Sequence, residues 1–387
     1  MKTTSSVHDV AEELPAFGAR FLTDESKVWE HNAWDHVPYP VDQRDNIEAK
    51  LQTQRSAPVP QEDHLIYNRH PSRHWDNFYK SNAENFFRNR KWLHNEFPEL
   101  VAASQPDAGP KVIAEIGCGA GNSVFPVLSS NSNPHLLIKA YDYSSHAIKL
   151  VTRNPQYASP PIGSIHAAVW DITSSTGLPP DLEPASVDVV ILVFVLSALH
   201  PDEWQTAINN VHQMLKPGGL VVLRDYGRHD LTQLRFKSGR LLEENFYIRG
   251  DKTRVYFFEI DELSLMFTGS LPHGNVDITT TEEVEDDAKD GQNPSLGPVL
   301  APTGTSISSS IHNAEDASSS IPTIVNNETV QPHPPIIHPN LLQSNAGNPL
   351  HALFKAEQLG VDRRLLVNRK RQLKMYRVWM QGQFRKI

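Results

Sequence analysis

The sequence predicts an α/β fold in which helices cover a parallel sheet, and two signals near residue 115 support it. A glycine-rich turn, EIGCGAGN at residues 115–122, follows a short apolar run at residues 112–114 and precedes a possible helix. A second apolar run, residues 136–141, ends at Asp142, about 20 residues after the glycines. Glycines let the backbone approach a ligand closely, and an acid at such a strand tip can bind a ribose diol. Together these signals predict a nucleoside-type cofactor at the carboxyl edge of the sheet.

Three further segments supply the next strands in order. Residues 168–170 form a short strand that ends at Asp171, and residues 186–195, SVDVVILVFV, are apolar enough for a strand buried on both faces. The turn MLKPGG at residues 214–219 then precedes an apolar strand at residues 220–223. The order of these segments predicts the fold better than any one of them, because a single acid could equally be a helix N-cap or a solvated strand end.

The glycine spacing distinguishes two classes of cofactor. Dinucleotide-binding enzymes carry G-x-G-x-x-G, whereas Gly117, Gly119 and Gly121 follow the spacing G-x-G-x-G, with Glu115 before them. This spacing resembles the first motif of the class I S-adenosylmethionine-dependent methyltransferases, and a nicotinamide enzyme is the alternative. Cys118 lies inside the turn, where a small residue is needed, so we do not expect it to act as a nucleophile.

Composition restricts the setting of the protein. The 387 residues contain one cysteine, so an intramolecular disulfide is impossible and an intracellular, cytoplasmic protein is expected. No apolar run reaches the ~18 residues of a membrane span, and the acidic N-terminal residues do not resemble a secretory or transit peptide. The 18 histidines are scattered without the spacing of metal ligands, so no metal site is expected.

The net charge of −9 is concentrated in one segment of the chain. Residues 270–345 contain ten acids and one base, which alone gives −9, and they lack Phe, Tyr and Trp. A segment of this composition buries too little apolar surface to offset the entropy of ordering. We therefore expect residues 270–345 to be a disordered acidic insertion, and the rest of the chain then carries no net charge.

The segments on either side of the insertion complete the predicted domain. Residues 72–100 have helical spacing and are expected to form two helices. Beyond the insertion we expect a short helix at residues 351–359, followed by two strands joined by a basic turn, residues 363–369 and 375–381. The predicted organisation is a partly flexible N-terminal extension of residues 1–70 and one domain made of residues 71–269 and 346–387.

Basic side chains alternate with aromatic ones in three places: the helices before the core, residues 224–254 and the C-terminal hairpin. Residues 361–387 hold nine Lys or Arg against one acid. Such surfaces suit an RNA backbone with splayed bases, although each alone could be a solvated face above a core. The expected RNA contacts are Arg20, Arg88, Arg90, Lys91, Arg228, Arg235, Lys237, Arg249, Arg369, Lys370 and Arg371.

Longer motifs give a specific resemblance to one family. They are FGARFL at residues 17–22, HNAWD at 31–35, HWDNFYK at 74–80, FFRNRKWL at 86–93, FVLSALHP at 194–201 and RDYG at 224–227. With these motifs the chain resembles the tRNA N3-methylcytidine methyltransferases over residues 15–267 and 350–382. The N-terminal motifs resemble the branch that acts on threonine-type tRNAs, and fungal members can also take serine tRNAs.

The resemblance implies both a fold and an activity. The fold is that of a class I methyltransferase, a Rossmann-like seven-stranded sheet with a C-terminal antiparallel hairpin, preceded by a helical extension that binds tRNA. The activity is N3 methylation of cytidine 32 in the anticodon loop, with S-adenosylmethionine as cofactor and the tRNA anticodon arm as partner. Neither DNA nor a membrane is an expected partner, and the need for an accessory protein, such as an aminoacyl-tRNA synthetase, stays open.

Carried over by motif, several residues are expected to bind the cofactor. Asp142 would bind the ribose hydroxyls, Asp171 the adenine amine and Val193 the adenine face. Trp75 and Tyr79 would cover the cofactor, and their alternative role is core packing, since positions i and i+4 of a helix are neighbours. The full expected set is Trp75, Tyr79, Glu115, Gly117, Gly119, Gly121, Asp142, Asp171 and Val193.

The candidates for catalysis lie at the tips of the fourth and fifth core strands. Asp225 would accept a hydrogen bond from the cytosine amine, and Phe194 or Tyr226 would stack on the base. Arg224, or else Arg228, would hold a phosphate or the base carbonyl, and His200 would accept a proton. Arg224 and Asp225 could instead form a structural ion pair. The alternative functions are a methyltransferase for proteins or small molecules and an RNA adaptor that binds the cofactor without catalysis.

Overall fold

A computed structural model of the chain describes residues 20–37, 39–40, 43–83, 86–272, 337–342 and 352–387. The strands are β1 (Ala33–Asp35), β2 (Lys111–Ile116), β3 (Leu136–Asp142), β4 (Ser164–Val169), β5 (Val187–Val193), β6 (Leu215–Tyr226), β7 (Leu241–Glu243), β8 (Phe246–Ile248), β9 (Arg254–Tyr256), β10 (Phe354–Asn368) and β11 (Leu373–Lys386). The helices are α1 (Arg44–Ser56), α2 (His64–Asn68), α3 (Pro71–Asn82), α4 (Leu93–Glu96), α5 (Pro98–Ala103), α6 (Val124–Ser130), α7 (Ser145–Arg153), α8 (Pro155–Ala158), α9 (Trp204–Met214), α10 (Leu231–Leu234), α11 (Ile260–Thr268) and α12 (Pro339–Leu342).

The main sheet has eight strands in the order β1-β10-β11-β6-β5-β2-β3-β4. Strands β2 to β6 pair in parallel, whereas β11, β10 and β1 are added in antiparallel fashion. The predicted α/β fold with a C-terminal hairpin is confirmed. The sheet has one strand more than the seven predicted, because residues 33–35 of the HNAWD motif pair with β10. Strands β7, β8 and β9 form a separate antiparallel sheet.

The central strand β5 explains why its sequence is apolar without alternation. Val190 and Leu192 face one hydrophobic cluster, which contains Trp204. Val189, Ile191 and Val193 face the other cluster, on the opposite side of the sheet. Because neighbouring strand residues point to opposite faces, a strand covered on both sides needs apolar residues at every position. The sheet edge that follows β5 is therefore held on a rigid core.

Two predictions about the C-terminal half need correction. Residues 354–359 belong to β10 and not to a helix, since this stretch pairs along its length with β11. Residues 337–342 lie within the segment predicted to be disordered, yet here they carry α12, with Leu341 buried. Most of that predicted insertion, and residues 1–19, lie outside the described residues.

Residues 337–342 are held on the core by polar contacts as well as by Leu341. The backbone N–H of His338 donates to the carboxylate of Glu262 at 2.9 Å, and the His338 ring contacts Glu243 at 3.2 Å. The same ring packs edge-on against Trp204. Composition did not reveal this attachment, because it depends on partners elsewhere in the chain. In the described part of the chain, no helix has the length and apolar character needed to cross a bilayer.

Candidate cofactor and substrate site

The glycine turn after β2 has the backbone shape that only glycine adopts easily. Gly117, Gly119 and Gly121 have φ angles of 63°, 56° and 88°, in the left-handed region where a Cβ is disfavoured. A Cβ on Gly119 would lie 2.5 Å from the Oη atom of Tyr79. The Gly119 N–H donates to Asp142 at 2.9 Å. The turn and the tip of β3 therefore form one unit, as the two sequence signals predicted.

Asp142 is the buried acid of this unit. It is 5 % exposed, and it also accepts the backbone N–H of Ser144 at 2.8 Å, the residue before α7. Burial raises the pKa of its carboxyl to about 6, although the hydrogen bonds from Ser144 and Gly119 oppose this. The acid is therefore ionised at neutral pH. Its position fits the ribose hydroxyls that the motif implied.

The two predicted adenine contacts, Asp171 and Val193, differ in how far their side chains are exposed. Asp171 follows β4 on the surface, where its carboxylate accepts from the backbone and hydroxyl of Thr173 at 2.9 and 2.7 Å. This turn holds Asp171 at the sheet edge and leaves its second oxygen for a ligand amine. Val193 is 2 % exposed and packs into the core below Phe194. Its side chain supports the site from below.

Helix α3 covers the glycine turn. Tyr79 is 5 % exposed and packs with Phe78 and Ala147, while Trp75 lies partly buried beside them. Asp76 on the same helix accepts the hydroxyl of Ser144 at 2.6 Å, so α3 is fixed to the start of α7. Both residues therefore take part in the packing of α3, and the Tyr79 hydroxyl also lies over Gly119. Their role in covering the cofactor stays a prediction.

Glu115 joins the N-terminal helices to the glycine turn. Its carboxylate is 1 % exposed, pairs with Arg90 at 3.2 Å and accepts the N–H of Val124 at 3.2 Å. Burial raises the pKa of Glu115 to about 7, although the Arg90 cation opposes this shift. Arg90 also donates to Ser123 at 2.8 Å. The guanidinium of Arg90 is thus held by the fold beside the glycine turn, and its role as an RNA contact stays a prediction.

These features fit S-adenosylmethionine. The glycine turn offers a close backbone approach, Asp142 offers a buried carboxylate for a diol, and α3 offers an aromatic cover. Among the described residues no group of His, Cys, Asp and Glu could hold a metal ion. Burial raises the pKa of the Cys118 thiol well above its usual range, so the thiolate is not available as a nucleophile.

A pair of aromatic rings lies at the tips of β5 and β6. Phe194 and Tyr226 have ring centroids 4.7 Å apart. Phe194 has a φ of 60°, an unusual value for a residue with a side chain, and such strain is concentrated at functional sites. The guanidinium of Arg249 lies 5.6 Å from the Tyr226 ring, and that of Arg90 lies 5.9 Å from Phe194. The predicted stacking residues are therefore brought together beside two cations.

Asp225 lies next to this ring pair and is fully buried. It accepts the N–H of Ser197 at 3.1 Å and that of Tyr226 at 2.8 Å. Burial raises the pKa of Asp225 to about 6, against the opposing hydrogen bonds and the nearby Arg249 cation. The carboxylate thus fixes the loop after β5 and is charged at neutral pH.

Arg224 is placed differently from its prediction, because neighbouring residues of β6 point to opposite faces of the sheet. Its guanidinium is 5 % exposed and bonds to Asp362 and Gln381 of the hairpin. It is also sandwiched between the rings of Trp92 and Trp379, at 4.8 and 4.7 Å. With these partners Arg224 cannot hold a phosphate or a base. It forms a structural ion pair with Asp362, and not with Asp225.

Glu96 extends this network to the helices before the core. Its carboxylate accepts from Gln381 at 2.9 Å and pairs with Arg364 at 3.2 Å. Burial raises the pKa of Glu96, while Arg224 and Gln381 oppose that shift. The FFRNRKWL motif contains Trp92, and the predicted strand at residues 375–381 contains Trp379 and Gln381. Neither pattern revealed this network, since its partners lie far apart in the chain.

Removing Arg224 is expected to destabilise the fold. The variant Arg224→Ala leaves Asp362 buried with only Arg364 as a cationic partner and empties the space between two indole rings. The loss of one partner of a buried pair costs about 3–5 kcal/mol in unfolding free energy. Denaturant unfolding measures this directly. Arg385→Ala, which breaks the exposed pair with Glu357, is the control and should cost about 1 kcal/mol or less.

His200 does not contact the ring pair. Its Nδ1 atom lies 3.4 Å from Asp202 and its Nε2 atom 3.8 Å from Glu243, while its ring packs on Phe246. Burial lowers the pKa of His200, against the nearby acids. These contacts hold the imidazole in the loop after β5, and its role in proton transfer stays a prediction.

The predicted RNA contacts fall into two groups. Arg228 is only 13 % exposed and pairs with Glu259 at 2.9 Å, and Arg249 donates to the Arg254 carbonyl at 3.0 Å, so both belong to the fold around the site. Several of the others are exposed at the surface: Lys91, Arg235, Lys237, Arg369, Lys370 and Arg371. The last three form the turn between β10 and β11. Arg88 has partners in the structure, and the backbone of Arg20 pairs with Asp35.

Comparison with known proteins places this site in a family. A methyltransferase domain model matches residues 114–221. The tRNA N(3)-methylcytidine methyltransferase trm140 of Schizosaccharomyces pombe is 39% identical over 386 residues, covering 100% of this chain and 97% of that protein. The chain belongs to the tRNA N(3)-methylcytidine methyltransferase family. The resemblance and the S-adenosylmethionine cofactor predicted from the sequence are thereby confirmed.

Other members of the tRNA N(3)-methylcytidine methyltransferase family match over different lengths. The tRNA(Thr) (cytosine(32)-N(3))-methyltransferase of Saccharomyces cerevisiae is 41% identical over 377 residues, which cover 97% of this chain and 46% of that protein. The chain thus spans about half the length of that relative. The human tRNA N(3)-cytidine methyltransferase METTL2B is 36% identical over 327 residues, covering 67% of this chain and 85% of that protein. A nicotinamide enzyme and a methyltransferase for proteins or small molecules are not favoured.

Proposed function

We propose that this chain methylates N3 of cytidine 32 in the anticodon loop of threonine or serine tRNAs. The observation that carries the proposal is the ring pair Phe194–Tyr226 with the Asp225 carboxylate, at the same sheet edge as the glycine turn. Family membership supports the reaction, and the activity named for the Saccharomyces cerevisiae relative, methylation of tRNA(Thr) at cytosine 32, supports the tRNA and the position.

The chemistry asks for positioning more than for a base. Bound S-adenosylmethionine supplies an electrophilic methyl group. Neutral cytosine carries a lone pair at N3, which forms the new N–C bond as the C–S bond breaks, so no proton has to leave first. The ring becomes cationic as it gains the methyl group. A carboxylate already fixed beside the ring stabilises that charge. A fixed geometry lowers the entropy cost of bringing N3 and the methyl group together.

The residues at the tips of β5 and β6 have distinct roles in this proposal. Asp225 accepts a hydrogen bond from the exocyclic amine and stabilises the cation. Phe194 and Tyr226 stack on the target base after it has turned out of the anticodon loop. Extruding this base costs little free energy because a loop base is unpaired. In this proposal Arg249 contacts the base carbonyl or its phosphate, which is supported by its guanidinium lying 5.6 Å from the Tyr226 ring.

Contacts to the rest of the tRNA fall to the exposed basic residues. The turn Arg369–Arg371 and the pair Arg235 and Lys237 are exposed and suit a phosphate backbone. A cytoplasmic location and an accessory protein such as an aminoacyl-tRNA synthetase remain part of this proposal.

The proposed reaction can be tested directly. The purified protein is incubated with labelled S-adenosylmethionine and total tRNA from a strain that lacks the activity, and the nucleosides are then analysed. N3-methylcytidine at position 32 of threonine or serine tRNAs is the expected product. Label in another nucleoside, or none with the cofactor demonstrably bound and a synthetase added, would contradict the proposal.

Loss of the Tyr226 ring should weaken the use of tRNA. Base–aromatic stacking contributes about 1–3 kcal/mol, so Tyr226→Ala should lower kcat/KM for tRNA roughly 10- to 100-fold. Tyr226→Phe keeps the ring and should act like the wild type. Equal losses in both variants would assign the effect to the hydroxyl and would argue against stacking. Steady-state kinetics with a threonine tRNA measure both.

A further inference from the structure

A cleft lies between α3 and the turn that joins β8 to β9. It has a volume of about 450 Å³ and is lined by Arg73, His74 and Asn77 on one side and by residues 250–252 on the other. On α3, positions 70, 73, 74 and 77 share one helical face. Trp75 and Tyr79 point from the same helix to the glycine turn and α7. The cleft is therefore separate from the surface that covers the cofactor.

Two cations from different elements line this cleft without a protein partner. Arg73 of α3 and Lys252 of the turn are both exposed, and within the described residues neither side chain forms an ion pair or hydrogen bond. In contrast, Arg90 and Arg228 at the site are paired with Glu115 and Glu259. A cation that the fold leaves unpaired in a concave surface is available to an external anion.

Among the residues that line the cleft, the one acid already accepts two hydrogen bonds from the protein. Asp251 accepts the N–H and the hydroxyl of Thr253 at 2.9 and 2.7 Å, which fixes the turn. Two unpaired cations against this one acid leave the cleft with a net positive charge. Burial lowers the pKa of the His74 imidazole, so this residue is neutral at physiological pH.

The position of the cleft connects it to the proposed substrate site. Its outer wall, the turn after β8, begins at Arg249, whose guanidinium lies over Tyr226. Its inner wall, α3, carries the residues that cover the glycine turn. An RNA backbone that delivers a base to the ring pair would therefore pass beside this cleft. The phosphates that flank an extruded nucleotide need fixed contacts, because they set the register of the base.

We propose that this cleft binds a backbone phosphate of the RNA next to the target nucleotide, with Arg73 and Lys252 as its two cationic contacts. The proposal rests on the proposed function and adds a second anchoring point, close to the reaction. Contacts of this kind carry affinity and register but no base specificity. They weaken with salt, since each neutralised phosphate releases counterions.

The test removes the two charges and leaves the fold intact. Arg73→Gln, Lys252→Gln and the double variant are compared with Lys149→Gln, which removes an exposed charge from α7. Lys252 has a φ of 68°, and glutamine carries the same backbone penalty there as lysine, so the comparison isolates the charge. The measurements are KM and kcat for tRNA over a range of salt, and the affinity for S-adenosylhomocysteine.

The expected result is a rise in KM with kcat and S-adenosylhomocysteine affinity unchanged. Each single variant should reduce the slope of log affinity against log salt by about 1, and the double variant should raise KM about tenfold or more. Wild-type KM and salt slope in the double variant would overturn the proposal. So would a fall in S-adenosylhomocysteine affinity at unchanged KM, because it would assign the cleft to the cofactor.

A binding experiment tests the cleft independently of the proposed methylation. If the wild type methylates no tRNA, direct binding of an anticodon stem-loop, followed by fluorescence anisotropy, still compares the same variants. Weaker, less salt-dependent binding by the double variant would support the cleft on its own. Equal binding by wild type, double variant and Lys149→Gln would overturn it.

Discussion

Replacing Asp225 with asparagine is expected to slow methyl transfer about 100- to 1,000-fold, the usual cost of removing one preorganised electrostatic contact from a transition state. Asparagine keeps the shape of the side chain and an oxygen that accepts the Ser197 N–H. It removes the negative charge that would face the cationic product ring. The rate constant should therefore fall, while the affinity for S-adenosylhomocysteine stays close to that of the wild type.

The pH dependence of the rate gives this prediction a second readout. Burial raises the pKa of Asp225 to about 6, so the wild-type carboxyl takes up a proton as the pH falls through that value. The rate of methyl transfer should fall as Asp225 becomes protonated below about pH 6, and should be constant above that pH. In Asp225→Asn the rate no longer depends on the protonation of this side chain. Any pH dependence of the rate that remains reflects other groups such as Asp142.

A matched control separates charge at the site from charge in general. Asp107→Asn changes an exposed acid before β2 and should leave both the rate and its pH profile unchanged. Full activity in Asp225→Asn with the cofactor bound would remove Asp225 from the reaction. Its role would then be limited to holding the loop after β5.

Replacing Gly119 with alanine is expected to weaken cofactor binding by up to about 100-fold. The new Cβ would lie 2.5 Å from the Oη atom of Tyr79, so either the tyrosine moves or the turn opens. Such overpacking costs about 1–3 kcal/mol, and 3 kcal/mol corresponds to roughly 100-fold in affinity. Calorimetric titration with S-adenosylhomocysteine measures the change.

The chain offers a control that isolates the collision from backbone strain. Gly239 has a φ of 73°, and a Cβ there would meet no atom within 4 Å. Both Gly119→Ala and Gly239→Ala carry the left-handed penalty of about 1–2 kcal/mol in folding stability, yet only the first should bind the cofactor more weakly. Equal cofactor affinity in the two variants would show that α3 yields easily and that the glycine is needed for backbone shape alone.

The parts of the site that the sequence predicted are those built from local patterns. The glycine turn, Asp142 and the order of β2 to β6 depend on residues close together in the chain, where period and spacing carry the information. The order of these elements is as expected, although β4 lies at Ser164–Val169 and β6 begins at Leu215, inside the predicted turn. Phe194 and Tyr226 were each predicted to stack on the base, whereas the contact between their two rings was not predicted.

The parts that the sequence missed depend on distant pairing. Arg224 and Asp225 are neighbours in the chain, yet Arg224 faces Asp362 and Asp225 faces Ser197. Only the three-dimensional fold decides which partner each residue meets. Residues 354–359 contain helix-forming Ala, Leu, Lys and Glu, but pairing with β11 overrides that local preference. Likewise Arg90 lies in a basic segment, and its burial depends on Glu115.

The position of the hairpin has a consequence for how the chain folds during synthesis. β11 lies between β6 and β10 in the sheet, although it follows both of them along the chain. At about 5–20 residues per second, the ribosome needs on the order of ten seconds to pass from β6 to β11. During that interval β6 lacks its neighbour β11, and Arg224 lacks the hairpin residues Asp362, Gln381 and Trp379. A nascent chain at this stage exposes a strand edge that is open to wrong pairing until β11 emerges.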